Sequence, residues 1–169
     1  MSTPMPDRAE ARVDVSVDGV RLTVSVRVDR LPVILGEPLT ATWAVTSGGS
    51  AAFVALAADR ITGRILGLSF RASLNGTDLD LADPTPSAGA LGGPLTAHDL
   101  GTGDLTLPVL VDDYLDLGAL SGATRGGTTL TLSCHWDLQA GPDDLAVLGA
   151  TPTPVSLNLE LPLARSWPT

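Results

Sequence analysis

The chain has 169 residues and a formal net charge of -9, with ten arginines, no lysine and one cysteine. Its length suits one domain that buries about 70% of its unfolded surface. An acidic chain without clustered cations is a poor ligand for nucleic acid, a chain without lysine excludes Schiff-base chemistry, and one cysteine excludes an intramolecular disulfide.

The predicted domain lies between two short end segments. Residues 1–12 are polar and contain no apolar segment typical of a secretory signal, so we expect a flexible N-terminal segment and a cytoplasmic protein. The single predicted domain spans residues 13–163. No stretch within it approaches the about 18 apolar residues of a membrane span. Residues 164–169 form a predicted tail that carries Trp167.

The domain is predicted to begin with two strands joined by Asp18-Gly19. Apolar and polar residues alternate on both sides of this dipeptide, over 13–17 and 20–28. Asp-Gly is typical of a two-residue hairpin turn, and a turn here pairs Val17 with Val20. The apolar rows of both strands then lie on one face, which a register slip of one residue would destroy.

Of the next two segments, the first has the alternating pattern of a strand and the second has a pattern that fits a strand or a helix. Residues 39–46 alternate apolar residues with threonine or alanine, and threonine on the polar face favours a strand because β-branched side chains fit a pleated sheet. Residues 51–58 are compatible with a buried strand or with a helix capped by Ser50, since a short apolar run does not distinguish the two. We predict a strand.

A second hairpin is predicted around Asn75-Gly76, between strands over 66–74 and 77–81. Asn-Gly favours the same two-residue turn as Asp-Gly. The cross-strand pairs that this turn predicts are Leu74–Thr77, Ala72–Leu79, Phe70–Leu81 and, on the outer face, Arg71–Asp80.

A long surface loop over 82–103 and an edge strand over 105–111 are predicted next. The loop is rich in proline, glycine and small residues, and a loop of this length in a compact domain is either mobile or functional. In the strand, Pro108 lies on the opposite parity to the apolar residues, which indicates an edge strand or a bulge. Residues 112–120 are predicted to form a short helical turn or an ordered corner.

The clearest single strand covers residues 129–138. Because successive side chains of a strand point to opposite faces, Cys134 is predicted to lie in the core and His135 to point outward. A second loop over 139–154 leads to a last strand over 155–161. Pro162 is predicted to leave the sheet.

About nine strands, nearly all with one apolar and one polar face, predict an all-β fold. The apolar faces must be buried against each other, and a two-sheet antiparallel β-sandwich achieves this. A closed or partly open β-barrel uses the same alternation and is the alternative.

Three stretches carry a resemblance to a known class of domain: Gly36-Glu37-Pro38-Leu39 before a strand, the sequence DLGAL at 116–120, and GTTLTL at 127–132. With these stretches, the chain resembles immunoglobulin-like and arrestin-like β-sandwich domains over 13–161. It has a threonine at 128 and 129 where such domains have an aromatic, and it lacks the Cys…Trp…Cys framework of antibody domains. The resemblance implies a binding or scaffolding role and carries over no catalytic residue.

Few residues are candidates for a catalytic or metal-binding role, and for each of them a structural role is the simpler interpretation. Cys134 and His135 are adjacent in sequence, but strand parity separates them and opposes a nucleophile–base pair. His98 lies beside Asp99 in the predicted loop, and two unrelated histidines do not supply the three or four ligands of a zinc site. Acidic clusters lie at 78–83 and 112–116, yet neither has the ligand order of a calcium loop. No metal or other cofactor is predicted.

Two hypotheses for the function follow. The first is a non-enzymatic interaction or structural module that binds a protein partner or a second copy of the chain through loops or an edge strand, with 105–111 as the preferred edge. The second is an enzyme or small-ligand carrier in which His98, Asp99, His135 and the cluster at 112–116 line a cavity of about 300 Å³ or more. Tyr114 can alternatively anchor its own corner through its hydroxyl group. The candidate interaction residues are His98, Asp99, Asp112, Asp113, Tyr114 and Trp167.

Overall fold

A computed structural model describes residues 8–34, 36–48, 52–57, 65, 67–79, 96–117 and 129–164. Within these ranges the chain contains twelve strands, two short 3₁₀ helices and no α-helix. The strands are β1 (Ala9–Val17), β2 (Val20–Val28), β3 (Val33–Ile34), β4 (Thr40–Ser47), β5 (Phe53–Leu56), β6 (Leu68–Leu74), β7 (Thr77–Leu79), β8 (Thr96–Asp99), β9 (Leu105–Leu110), β10 (Thr129–Leu138), β11 (Ala140–Gly141) and β12 (Thr153–Ala164). The 3₁₀ helices are Val111–Asp113 and Ala146–Gly149. Among these residues no helix has the length and apolar character needed to cross a membrane.

Three sheets organise the strands. The largest has the order β3-β12-β10-β6-β7, the second β1-β2-β4-β9, and the smallest β11-β5-β8. Every described pair is antiparallel except β12 with β3, which is parallel. The all-β prediction is confirmed, with a third sheet and a parallel pair that the sequence did not indicate. The alternative of a closed barrel is wrong for the described sheets, none of which closes on itself.

The two larger sheets enclose the core of a β-sandwich. Trp43 of β4 and Trp136 of β10 meet edge to face between the sheets, with ring centroids 5.5 Å apart. Both indoles are buried, as is Cys134, and desolvation raises the pKa of this thiol to about 12. The predicted inward parity of Cys134 is therefore confirmed, and so is the outward parity of His135.

Both predicted hairpin turns are confirmed. The closing pairs are Val17–Val20 and Leu74–Thr77. Asp18 and Asn75 each have a φ of 50°, and the glycine that follows each has a φ above 80°. A positive φ at both central residues defines the type I′ turn, which these dipeptides favour. The predicted pairs with residues 80 and 81 lie outside the described residues.

The N-terminal strand begins earlier than predicted. β1 starts at Ala9 rather than at residue 13, and residues 9–12 pair with the end of β2. Ala9 and Ala11 continue the apolar row of the strand, while Glu10 and Arg12 occupy its solvent face. Residues 9–12 therefore belong to the sheet and not to the flexible segment predicted for 1–12.

Short strands also lie in both predicted loops. Within the described part of 82–103, β8 pairs with β5, which confirms a strand in 51–58. In 139–154, β11 pairs with the other side of β5. Strands of two to four residues have no readable alternation, and their pairing depends on distant chain segments. The predicted irregular structure is therefore wrong at these positions.

The last strand does not end at Pro162. The Asp137 N–H donates to the Gly67 carbonyl at 2.8 Å, so odd-numbered residues of β10 bond to β6 and even-numbered ones bond to β12. Across the β10–β12 ladder, even residues pair with odd residues of β12. The nitrogen of Pro162 therefore points away from β10. No ladder bond is lost at the proline, and β12 continues to Ala164.

Candidate functional site

His98 and Asp99 stabilise the turn that leaves β8. The Asp99 carboxylate accepts a hydrogen bond from the Gly101 N–H at 2.8 Å, and the Asp99 carbonyl accepts one from the Thr102 hydroxyl at 2.9 Å. Nε2 of His98 lies 3.4 Å from the Gly103 carbonyl oxygen. An aspartate that binds the backbone two residues on is typical of a turn. These contacts give both residues a local structural role.

Asp112 fastens the corner after β9 to the start of β4. Its Oδ2 accepts a hydrogen bond from the Leu39 N–H at 2.8 Å, and the Val111 N–H donates to the Leu39 carbonyl at 2.8 Å. The half-buried Asp113 lies in the same 3₁₀ helix. The ordered corner predicted for this segment is confirmed over its described residues.

Tyr114 anchors the same corner from inside the fold. Its hydroxyl oxygen accepts a hydrogen bond from the Ile65 N–H at 2.8 Å. Its ring meets Phe70 edge to face, with centroids 5.2 Å apart. The anchoring role is therefore confirmed, and the side chain is occupied by its own domain. Trp167 lies outside the described residues.

The predicted residues do not converge on either of two cavities found in the described structure. A cleft of about 270 Å³ opens between the end of β2 and the start of β4, with Asp29 and Glu37 in its lining. A second cavity of about 600 Å³ lies beside β6 and β7. Neither is lined by His98, Asp99 or His135. Among the described residues, no three His, Cys, Asp or Glu side chains are grouped to hold a metal ion.

A row of serine, histidine and aspartate on the outer face of the largest sheet escaped the sequence analysis. Nδ1 of His135 lies 2.9 Å from Ser156 Oγ, and Nε2 lies 2.9 Å from Asp137 Oδ1. Ser156 is opposite His135 on β12, a pairing that the pattern of one strand does not reveal. The imidazole and carboxylate are 37% and 51% exposed.

This row lacks the surroundings of a hydrolase site. A serine nucleophile requires donors that stabilise an oxyanion and a concave surface that binds the substrate. The row crosses the solvent face of a sheet, and it lines neither of the two cavities described above. We therefore interpret it as cross-strand hydrogen bonding, the same kind of contact that joins Thr131 to Glu160 two pairs further along the ladder on that face.

The free edges of the sheets are the other possible binding surfaces. An edge strand presents unpaired N–H and C=O groups to which another strand can bond. Because hydrogen bonds alternate along an antiparallel ladder, only every second residue directs its backbone groups to the free side. Whether an edge strand can bond to another strand therefore depends on which of its residues direct their N–H and C=O groups to the free side.

The edge at β9, the preferred edge of the sequence analysis, is interrupted by proline. β9 is the terminal strand of its sheet, as predicted. Val111 donates to Leu39, so odd-numbered residues of this segment face β4 and even-numbered ones face the free side. Pro108 has the free-side parity and no N–H to donate. The strand offers only the N–H groups of Thr106 and Leu110.

The free side of β12 is bounded by prolines in the same way. β3 pairs only with Leu163 and Ala164, so most of β12 is hydrogen-bonded to β10 alone among the described residues, while β1 of the facing sheet lies close to it without bonding to it. Pro154 and Pro162 both have the parity that faces away from β10. Of the remaining edge strands, β3, β7, β8 and β11 are two to four residues long.

β1 is the one long edge in the described structure that proline does not interrupt. All nine of its residues pair with β2, and no described strand is hydrogen-bonded to its other side, although β12 of the facing sheet lies close to β1. In a type I′ turn the Val17 carbonyl accepts from the Val20 N–H, which directs odd-numbered residues of β1 toward β2. The bond from the Gly48 N–H to the Arg21 carbonyl, at 3.0 Å, agrees with this parity. The residues that direct their backbone groups outward are Glu10, Arg12, Asp14 and Ser16.

The apolar side chains of β1 are more exposed than those of the neighbouring strand β2. The apolar row of β1 is half-buried from Ala9 to Val15, whereas the paired residues of β2 from Leu22 to Val28 are at most 2% exposed. On the outer face, Arg12 lies 3.2 Å from Glu10 and has a side chain that is 65% exposed. An added strand would cover part of this apolar row and would meet this charged face.

Neither a protein-family model nor a curated protein matches the chain. The edge geometry of β1 is therefore the basis on which a function can be argued.

Proposed function

We propose that the protein is a non-enzymatic interaction module that binds a protein partner by accepting an extended strand along β1. The observation that supports this proposal is the uninterrupted row of outward backbone groups from Glu10 to Ser16. In strand addition, main-chain hydrogen bonds supply affinity and alternate side chains supply specificity. β1 offers both, through its open ladder and through the charged residues on its solvent face.

The contrast with the other edges strengthens the argument. Sheet proteins protect free edges with prolines, charges or very short strands, because an open edge promotes aggregation. In the described structure, proline interrupts the free side of β9 and bounds that of β12, and the other edges are short. β1, with nine residues, is the longest described edge strand without a proline, and its outward charges at Glu10, Arg12 and Asp14 limit unspecific pairing while leaving every outward N–H in place. The immunoglobulin-like or arrestin-like resemblance, which implies binding or scaffolding, fits this role.

The test uses proline at a position where it removes only an outward N–H. Arg12→Pro removes a free-side donor in the middle of β1 and leaves the β1–β2 ladder intact. Asn158→Pro is the matched control, because residue 158 has the same outward parity on β12. Arg12→Ala separates loss of the charge from loss of the N–H. The wild type and the three variants serve as baits for lysate proteins, and the partner is identified by quantitative mass spectrometry.

The proposal predicts a partner that the wild type and Asn158→Pro retain, that Arg12→Ala binds only a few-fold more weakly and that Arg12→Pro loses about tenfold or more. Hydrogen exchange of the purified complex should then slow at the amides of Glu10, Arg12 and Asp14. Equal retention by Arg12→Pro, or protection that maps to another strand, would show that β1 is not the binding edge. Circular dichroism and cooperative unfolding verify that each variant is folded.

A further inference from the structure

We infer that the strand bound by β1 is β1 of a second copy of the chain, antiparallel to the first and related to it by a two-fold axis through Val13. The inference rests on the proposed function of β1 as an open edge, and it names the occupant. A two-fold interface uses the same surface on both molecules, so a self-pairing strand must be complementary to its own reverse.

β1 meets this requirement over its whole length. Centred on Val13, the antiparallel register pairs all nine residues from Ala9 to Val17. It sets Arg12 of each copy opposite Asp14 of the other and places Glu10 opposite Ser16. Outward-facing residues meet outward-facing residues, so about eight backbone hydrogen bonds can form between the copies. The charge pattern therefore matches the register that pairs the most residues.

Neighbouring registers that keep the apolar row on one face do not match the charges. A register centred on Arg12 sets two arginines opposite each other and pairs Glu10 with Asp14. One centred on Asp14 sets two aspartates opposite each other. Like charges directly opposite on a sheet are destabilising. A register centred on Ala11 pairs Glu10 with Arg12, but only five residues of each strand overlap. The charges thus select one register.

The apolar row gives an independent argument for the same arrangement. In the Val13-centred register, odd-numbered residues pair with odd-numbered residues, and the half-buried row of one copy continues into that of the other. Each half-buried valine or alanine then gains a neighbouring residue on the side of β1 that has no ladder partner in one molecule. The two four-stranded sheets become one sheet of eight strands, which ends at both sides in β9 with its Pro108.

Charge reversal tests both the dimer and its register. Sedimentation velocity over a concentration series measures the monomer–dimer equilibrium of the full chain. Arg12→Asp makes both cross-strand pairs repulsive between negative charges, and Asp14→Arg makes both repulsive between positive charges. Each variant alone should dimerise about tenfold or more weakly than the wild type. Mixing the two variants should restore the dimer, because each reversed residue then faces an opposite charge. Thr106→Asp, a charge change at an exposed residue of β9 at the far edge of the same sheet, is the control for net charge.

The outcomes separate this inference from the function on which it rests. A concentration-dependent dimer that each reversal weakens and that the mixture restores supports the inference. A wild type that sediments as a monomer at every concentration overturns it, and so does a dimer that the reversals leave unchanged. In either of these two cases, the pull-down with Arg12→Pro decides about the proposed function. If this variant loses a protein partner other than the chain itself, β1 is an open binding edge with another occupant, and the proposed function stands. If it loses none, both proposals fail.

Discussion

The alternating hydrogen bonds of β1 predict opposite effects of proline at two adjacent residues. Ala11 directs its N–H into the ladder with β2, opposite Val26, whereas Arg12 directs its N–H to the free side. Ala11→Pro removes a ladder bond, while Arg12→Pro removes none. Pro108 and Pro162 already occupy outward positions in other strands of this chain, which shows that the outward parity tolerates the ring.

The structure sets the expected magnitudes. Val26 is fully buried, and loss of the Ala11 donor leaves its carbonyl without a partner, which costs about 1–3 kcal/mol. Strain of the ring within a paired strand adds to this, so we expect Ala11→Pro to lower the free energy of unfolding by about 2–4 kcal/mol. Arg12→Pro loses an exposed ion pair with Glu10 that is worth about 0–1 kcal/mol. The two variants should therefore differ by about 2–3 kcal/mol.

Urea unfolding followed by tryptophan fluorescence measures this difference, since Trp43 and Trp136 are buried in the core. Each variant is unfolded at several protein concentrations, because a dimer through β1 would add a concentration-dependent term to the wild type and to Ala11→Pro. The comparison is made at the lowest concentration. Equal destabilisation by both prolines, or a larger loss for Arg12→Pro, would refute the parity on which the open edge depends.

Three other side chains give expectations of their own. Burial raises the pKa of Cys134 from 9.0 to about 12, so the unfolded chain loses this proton first as the pH rises. Relative to the Cys134→Ala variant, the free energy of unfolding of the wild type should be constant below pH 9 and should fall by about 1.4 kcal/mol per pH unit between pH 9 and about 12, as measured by urea unfolding. A difference between the two proteins that does not change above pH 9 would contradict this. Tyr114→Phe removes the acceptor of the Ile65 N–H and should lower the free energy of thermal unfolding by about 1–3 kcal/mol. Ser156→Ala should hydrolyse p-nitrophenyl acetate at the wild-type rate, and a clear loss of rate would point to an active site at His135.

Local signals in the sequence account for the parts of the fold that were predicted. Asp18 and Asn75, each followed by glycine, define their turns through backbone conformation alone, and each turn then fixes the register of its two strands. Alternation over ten residues likewise placed Cys134 inside and His135 outside. These predictions required only neighbours in sequence.

The parts that were missed depend on partners distant in sequence. β8 is a strand because β5 lies beside it, and nothing in its four residues indicates this. The contact of Ser156 with His135 depends on the register between β10 and β12, which no tight turn sets. The preference for β9 as the binding edge failed for a related reason. A proline was visible in β9, but which side of the strand it faced could be determined only from the ladder.

The positions of the prolines connect the fold to the proposed function. Pro108, Pro154 and Pro162 all lie within or at the ends of strands, and all three have the parity that faces a free side. Proline of the opposite parity would break a ladder, so stability alone explains why none is found there. The outward positions of β1 carry no proline, so each N–H from Glu10 to Ser16 can donate to an added strand, as the proposed function requires. In a dimer through β1, the prolines of β9 would lie at the two outer edges of the joined sheet, where further addition of strands must stop.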